Sequence, residues 1–169
     1  DKTRYAEEAT KWSEEDQHAF ARALTHLGEA MEAEPFTDLL GPFYMANGSK
    51  GDRDWGGEFY TPRTVCRFLA QVQFADRPLD EPVTLLEPAC GSGSMVLAAA
   101  EVLAERGQSP ELLRVDAWDI NHTACLMSYL NFLLWRIPAR VIHGNSLTRE
   151  VHTCYVTPWW VAAERRVAA

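Results

Sequence analysis

The apolar residues near the start of the chain recur at the spacing of a helix. Between residues 13 and 33 they fall three or four positions apart, which predicts one amphipathic helix; they are Phe20, Leu24, Leu27 and Met31. Ser13 stands at its start with Asp16 three residues later, a pairing related to the capping box. Pro35 is expected to end the helix because proline has no amide hydrogen to donate.

A polar segment separates this helix from the next apolar stretch. Thr37 or Asp38 is placed to cap a short second helix. Residues 46–57 hold four glycines, which predicts a loop. Residues 63–74 return to helical spacing, and residues 75–82, with two prolines, are predicted to form a charged connector.

From residue 83 onward, short apolar runs alternate with longer helical stretches. This alternation predicts an α/β fold with a parallel sheet, in which residues 1–57 form a helical extension and loop and residues 58–169 form the sheet domain. The predicted elements are strands at 83–87, 114–119, 140–144 and, more weakly patterned, 151–156, with helices at 94–106, 121–136 and 159–168.

Composition narrows the class of protein. Apolar residues make up 47% of the 169, enough for a packed core. No apolar run approaches the roughly 18 residues of a membrane span, so a soluble, cytoplasmic protein is expected. The four cysteines lack zinc-site spacing, and reduced thiols without a bound metal are expected. A net charge of −8 argues against non-specific adhesion to DNA, so any DNA contact has to come from a local site or a partner.

Two glycines follow the first predicted strand. The segment Glu87–Gly93 reads Glu-Pro-Ala-Cys-Gly-Ser-Gly and runs directly into an alanine-rich helical stretch. Such a turn lets a ligand approach the backbone closely at the carboxyl end of a central strand. It lacks the third glycine and the basic residue of a phosphate loop, and Glu87 repels phosphate, so a cationic ligand fits better. A plain tight turn remains the alternative.

Polar residues also follow the next two predicted strands. Asp119 comes one strand–helix–strand unit after the glycines, where an acid can accept hydrogen bonds from ribose hydroxyls. Trp118 or Ile120 could pack on an adenine face. Asn145 carries a donor and an acceptor, which suits an adenine edge. The alternatives are that Asp119 only caps the helix beginning near Asn121 and that Asn145 is an ordinary turn residue.

Together these segments resemble S-adenosylmethionine-dependent methyltransferases, and more narrowly the adenine-N6 DNA methyltransferases typified by type I modification subunits. Gly57–Pro62 is similar to that family's G-x-F-[FY]-T-P element, Glu87–Gly93 to its [DE]-P-A-C-G-[ST]-G element, and Gly144–Leu147 to its G-[DN]-[ST]-L element. The upstream Phe-Tyr-Thr-Pro element separates this group from methyltransferases that act on small molecules. From the residues alone, Thr61 is also expected to cap the helix that follows, with Pro62 in its first turn.

The resemblance implies a Rossmann-like methyltransferase fold, S-adenosylmethionine as cofactor and DNA as substrate. It places the methionine part of the cofactor near the Phe-Tyr-Thr-Pro element, the ribose at Asp119 and the adenine at Asn145. The expected cofactor-binding residues are Phe59, Tyr60, Thr61, Glu87, Pro88, Ala89, Cys90, Gly91, Gly93, Asp119, Ile120 and Asn145.

The chain departs from the family at the catalytic element, [DNS]-P-P-[YFW], which occurs nowhere in the sequence. The nearest match is Thr157-Pro158-Trp159-Trp160, after the fourth predicted strand. In one register Thr157, Pro158 and Trp160 take the acceptor, proline and aromatic positions. In the other, an apolar Val156 stands where the acceptor belongs. These residues could instead pack internally or form an association surface, Trp159 and Trp160 contacting a second copy or another subunit.

Three functions remain open from the sequence. The first is an S-adenosylmethionine-dependent DNA adenine-N6 methyltransferase-type protein with a degenerate catalytic element. The second is an inactive cofactor-binding subunit with a regulatory or antirestriction role. The third is a methyltransferase acting on RNA or protein.

Overall fold

The computed structural model describes residues 2–47, 61–75 and 81–167. The chain divides into two compact units, Asp1–Pro35 and Phe36–Ala169. The predicted functional boundary between residues 57 and 58 stays a prediction, because residues 48–60 lie outside the described residues.

The first unit consists of helices α1 (Lys2–Ala9) and α2 (Glu14–Ala33). The predicted capping box is confirmed: Ser13 Oγ accepts from the Asp16 amide at 3.1 Å, and Asp16 Oδ2 accepts from the Ser13 amide at 3.2 Å. Both bonds satisfy amides that the first turn of a helix leaves unpaired. Met31 is buried, whereas Phe20 stays exposed and meets Trp12 edge-on with ring centroids 5.1 Å apart.

The second unit follows the predicted alternation to within two residues at each end of its elements. It contains helices α3 (Leu40–Asn47), α4 (Arg63–Phe74), α5 (Ser94–Glu105), α6 (His122–Leu134) and α7 (Pro158–Val167), a 3-10 turn (Pro110–Leu112), and strands β1 (Val83–Glu87), β2 (Leu113–Asp119), β3 (Ala139–Asn145) and β4 (Glu150–Val156). Most of the predicted loop at 46–57 and of the connector at 75–82 lies outside the described residues.

The four strands form one mixed sheet in the order β1-β2-β3-β4. Strands β1, β2 and β3 are parallel, as predicted, and helices α5 and α6 make the two crossovers that parallel neighbours require. Strand β4 is antiparallel to β3. The four residues 146–149 that connect them are enough for a hairpin but too few for a crossover, so the sheet is not parallel throughout.

The core of the unit is formed by α4, α5 and α6 together with the three parallel strands. Every residue of Val96–Leu103 is buried, and the inward positions of β2 have no exposed surface. Helix α4 packs on α5 and buries Cys66, Ala70 and Phe74. Burying each large apolar side chain stabilises the fold by about 1.5–3 kcal/mol, so this layer fixes the position of the turn that leads into α5.

The predicted cap of α4 has a clear outcome. Pro62, rather than Thr61, is the N-cap of α4 and makes no side-chain cap bond, so the predicted cap was wrong by one residue. All four cysteines lie within the described residues and are free thiols, buried except for Cys154. In the part of the chain that the structure describes, no helix has the length and apolarity to cross a membrane.

Candidate cofactor site

The carboxyl ends of the three parallel strands meet around the turn Pro88–Gly93, hereafter the glycine turn. Cys90 N donates to Trp118 O at 2.7 Å, and Gly91 N donates to Asp119 Oδ2 at 2.8 Å. Because both bonds join the glycine turn to the end of β2, the first two predicted ligand-binding segments form one surface.

Both carboxylate oxygens of Asp119 accept hydrogen bonds from backbone amides. Oδ2 accepts from Gly91 N, and Oδ1 accepts from Asn121 N at 2.8 Å. Asn121 itself caps α6, its side-chain oxygen accepting from Ala124 N, so the alternative in which Asp119 is only a cap does not hold. A carboxylate oxygen accepts two hydrogen bonds, so each oxygen of Asp119 keeps one position for a ligand hydroxyl.

Asn145 ends β3 in a turn that its own side chain stabilises. Its Oδ1 accepts from Leu147 N at 3.0 Å and from Thr148 N at 3.1 Å. These two bonds use both lone pairs of the carboxamide oxygen, so the amide nitrogen is the group that remains for a ligand. Asn145 was predicted to offer a ligand both a donor and an acceptor; in the structure only its amide donor remains available.

A crevice at this edge of the sheet is lined by residues from all three strand ends. The lining residues are Pro88, Ala89, Asp119, Ile120, Gly144, Asn145, Ser146 and Leu147. Five of these eight are among the predicted cofactor-binding residues. Ile120 is 70% exposed and forms an apolar wall, whereas Trp118 is not part of the lining. Among the described residues the lining contains no lysine or arginine, which disfavours a phosphate ligand.

The other predicted cofactor residues do not line the crevice: some lie next to it, one lines a separate cavity, and two fall outside the described residues. Burial raises the pKa of Glu87, and the nearby charge of Asp119 adds to that rise. Cys90 is a buried residue of the glycine turn, and burial raises the pKa of its thiol. Thr61 lines a separate cavity together with Asp38 and Ser94. Phe59 and Tyr60 fall outside the described residues.

Gly93 is required by both the backbone and the packing of the glycine turn. Its φ is +97°, a left-handed conformation that side chains with a Cβ rarely adopt. A Cβ there would lie 2.6 Å from Phe132 Cε1 on α6, closer than carbon atoms pack. The backbone of the glycine turn therefore rests directly on a buried aromatic ring.

Sequence reasoning missed two residues of α6 that hold the glycine turn from below. Ser128 Oγ donates to Gly91 O at 2.6 Å, and Asn131 Nδ2 donates to Ser92 O at 2.9 Å. Both side chains are buried. The signal was available, because they are polar residues three apart in an otherwise apolar stretch, which places them on one face of the helix.

Thr157 does not lie at the crevice. In the antiparallel pairing of β4 with β3, Val156 is opposite Arg140 and Glu150 is opposite Asn145. The segment after β4 therefore lies at the opposite end of the sheet from the crevice. Thr157 is buried, and its hydroxyl donates to Ile137 O at 3.0 Å and accepts from Ala139 N at 2.9 Å. This geometry contradicts the prediction that Thr157 is a catalytic acceptor beside the cofactor. Pro158 and Trp160 follow Thr157 directly, so they too lie at the end of the sheet opposite the crevice.

The two tryptophans after Thr157 are held within the chain. Trp159 Nε1 donates to Leu133 O at 2.9 Å, and the Arg136 guanidinium lies 4.7 Å above the Trp159 ring. Arg140 lies 4.8 Å above the ring of Trp160. Both rings are half-buried, which fits the internal-packing alternative, and the predicted association surface stays a prediction.

Comparison with known proteins gives related descriptions. Residues 37–165 match the family model described as N-6 DNA Methylase. The chain is 31% identical over 143 residues to the type I restriction enzyme MjaVIII methylase subunit of Methanocaldococcus jannaschii, covering 82% of this chain and 23% of that protein. It is 30% identical over 116 residues to the MpnII methylase subunit of Mycoplasma pneumoniae, covering 67% of this chain and 20% of that protein.

The solved structures that are similar to this chain include a modification subunit. It comes from Vibrio vulnificus and is assigned as a modification subunit of a type I restriction enzyme, with 28% identity and a TM-score of 0.48. The match covers 80% of this chain and 25% of that one. The chain thus spans about a quarter or less of each of these three proteins.

Proposed function

Since the chain belongs to the N-6 DNA methylase family, we propose that it is the S-adenosylmethionine-binding portion of a DNA adenine-N6 methyltransferase. The observation that carries this proposal is the crevice, where residues from three separate strand ends converge on one ligand-sized surface. Ligands of open α/β sheets bind at this edge, outside the carboxyl ends of the strands.

The residues of the crevice fit the cofactor in charge and in hydrogen bonding. The free positions on the two Asp119 oxygens suit the two hydroxyls of a ribose. The amide nitrogen of Asn145 suits a ring nitrogen of adenine, and Ile120 offers an apolar wall for the base. Glu87 lies close enough to Asp119 for the charge of Asp119 to raise its pKa, and the two carboxylates together favour a cationic ligand. When bound, the cofactor supplies a methyl group activated by the sulfonium.

The group that accepts hydrogen bonds from the target amine is proposed to come from outside these 169 residues. The chain has no [DNS]-P-P-[YFW] element. The hydroxyl of its nearest match is buried in backbone hydrogen bonds at the far end of the sheet. The same observation favours a second candidate, a cofactor-binding module that takes no part in methyl transfer.

Calorimetric titration of the chain with S-adenosylmethionine and S-adenosylhomocysteine tests the cofactor site. We expect saturable binding of both and a loss of roughly 100-fold in affinity for Asp119→Ala, because two hydrogen bonds to a charged group are removed. Asp116→Ala is the matched control, since Asp116 lies on the same strand and pairs with Arg140 away from the crevice. Absence of binding by the unaltered chain would refute the proposal.

Labelled-methyl transfer to adenine-containing DNA separates the two candidates. We expect the chain alone to bind cofactor without transferring the methyl, and transfer by the chain alone would contradict an external acceptor. In a chimera, residues 37–165 replace the matching part of the MjaVIII methylase subunit. Methylation by the chimera supports the methyltransferase portion, and binding without methylation supports the inactive module. Transfer to RNA or protein but not to DNA would overturn the choice of substrate.

A further inference from the structure

A network of buried polar groups lies beneath the glycine turn, on the side away from the crevice. Ser92, Ser128 and Asn131 have almost no exposed surface. They come from two segments that are far apart in the chain, the glycine turn and the middle of α6, and the two are joined by hydrogen bonds to Gly91 O and Ser92 O. Buried polar groups are costly unless every one is paired, so such a network tolerates only one arrangement.

Asp38, in the segment before α3, completes this network from a third part of the chain. Its Oδ2 accepts from the hydroxyl of Ser92 and from that of Ser94, the latter at 2.8 Å. Its Oδ1 accepts from Gly41 N at 3.1 Å and from Asn131 Nδ2 at 3.2 Å. All four acceptor positions of one carboxylate are used, and each bond ends on the glycine turn, the start of α5, α3 or α6.

The contact between α3 and the glycine turn leaves no spare space. Gly41 is buried, and a Cβ on it would collide with Ser92 Oγ and with Asp38 Oδ2. The start of α3 is thus pressed against the glycine turn, and Asp38 is held at one place relative to Ser92. A shift of this carboxylate toward Ser92 has to move the turn, because the atoms on that side are already in contact with it.

We propose that Asp38 is a positioning residue for the cofactor, acting through the glycine turn without touching the ligand. This inference rests on the proposed function. Asp38 holds Ser92, the neighbouring Gly91 donates its amide to Asp119 Oδ2 at 2.8 Å, and Asp119 is the residue proposed to hold the ribose. Asp38 is not among the residues that line the crevice. The carboxylate therefore sets the position of a binding group two contacts away.

The test compares two ligands on the full chain by calorimetry. S-adenosylhomocysteine carries an amino-acid tail, whereas methylthioadenosine keeps the adenine and ribose and has no tail. Asp38→Asn preserves the shape of the side chain but turns one acceptor into a donor facing the serine hydroxyls. We expect the affinity for both ligands to fall by the same factor, about tenfold, because the ribose site is displaced in both complexes.

Asp116→Asn is the matched control, the same substitution at an acid that pairs with Arg140, and it should leave both affinities unchanged. Unchanged affinities for Asp38→Asn would overturn the proposal. A loss confined to the ligand with the tail would also overturn it, because it would show direct contact between Asp38 and the tail. If the unaltered chain binds neither ligand, the proposed function itself fails.

A second variant guards against a general loss of structure in Asp38→Asn. Ser92→Ala removes the hydroxyl that links Asp38 to the glycine turn. Thermal melting establishes that each variant is folded at the temperature of the titration. If Asp38 acts through Ser92, the double variant loses no more affinity than the larger of the two single losses. Losses in the single variants that multiply in the double variant would contradict this route.

Discussion

The packing of the glycine turn on Phe132 leads to a quantitative prediction for Gly93→Ala. The φ of +97° costs an alanine about 1–2 kcal/mol. The new Cβ would lie 2.6 Å from Phe132 Cε1, and such overpacking costs about 1–3 kcal/mol more. We therefore expect the free energy of unfolding to fall by about 2–5 kcal/mol, measured by urea unfolding followed through tryptophan fluorescence.

Gly107→Ala separates the two contributions to this loss. Gly107 also has a left-handed φ, +73°, but a Cβ there would meet nothing within 4 Å. It should lose only the backbone contribution of about 1–2 kcal/mol. Equal losses in the two variants would refute the reasoning, since contact with Phe132 would then contribute nothing. Cofactor affinity should fall for Gly93→Ala alone, because only that position lies in the glycine turn.

Three further predictions follow from the fold. Burial raises the pKa of Glu87 above its unfolded value, so the ionised carboxylate destabilises the folded state. Glu87→Gln should therefore raise the free energy of unfolding at neutral pH. This gain in stability should vanish below the ordinary carboxyl pKa, where Glu87 is protonated in both states. A gain of equal size at acid pH in urea unfolding would contradict this. Thr157→Val leaves Ala139 N and Ile137 O unpaired, so it should lower the free energy of unfolding by about 2–4 kcal/mol. Cofactor binding should not weaken; a loss of binding in calorimetry would show that Thr157 contributes to the cofactor site. Gly28 lies inside α2, and a Cβ there would meet nothing within 4 Å, so Gly28→Ala should stabilise that helix by about 1 kcal/mol. Amide hydrogen exchange in α2 should then be slower. Faster exchange would contradict this prediction.

The sequence was sufficient for most features that a local pattern decides, with the cap of α4 as an exception. The capping box at Ser13 and the three parallel strands depend on neighbouring residues and on apolar periodicity, and both predictions are confirmed. The convergence of Pro88, Asp119 and Asn145 on one crevice follows from the topology, because the carboxyl ends of parallel strands share one edge. Whether those residues bind the cofactor stays a prediction.

The sequence interpretation was wrong where a connection was too short for the assumed topology. Placing Thr157 at the crevice requires β4 to run parallel to β3, and only residues 146–149 connect the two strands. Chain length alone excludes a parallel crossover of four residues. The role of Asp38 could not be read from a local pattern, because its partners Ser92 and Asn131 lie 54 and 93 residues away. Such contacts depend on the packing of α3 and α6, which no spacing rule encodes.

The large sequence separation between Asp38 and its partners has a consequence for the order of folding events. Its bond to Asn131 closes a loop of 93 residues, and contacts of such separation form late because the chain loses much entropy before they are made. During refolding, secondary structure and hydrophobic collapse should be complete before the proposed cofactor site can bind a ligand. We therefore expect recovery of ligand binding to be the last kinetic phase of refolding, completed only when the unit from Phe36 onward has assembled.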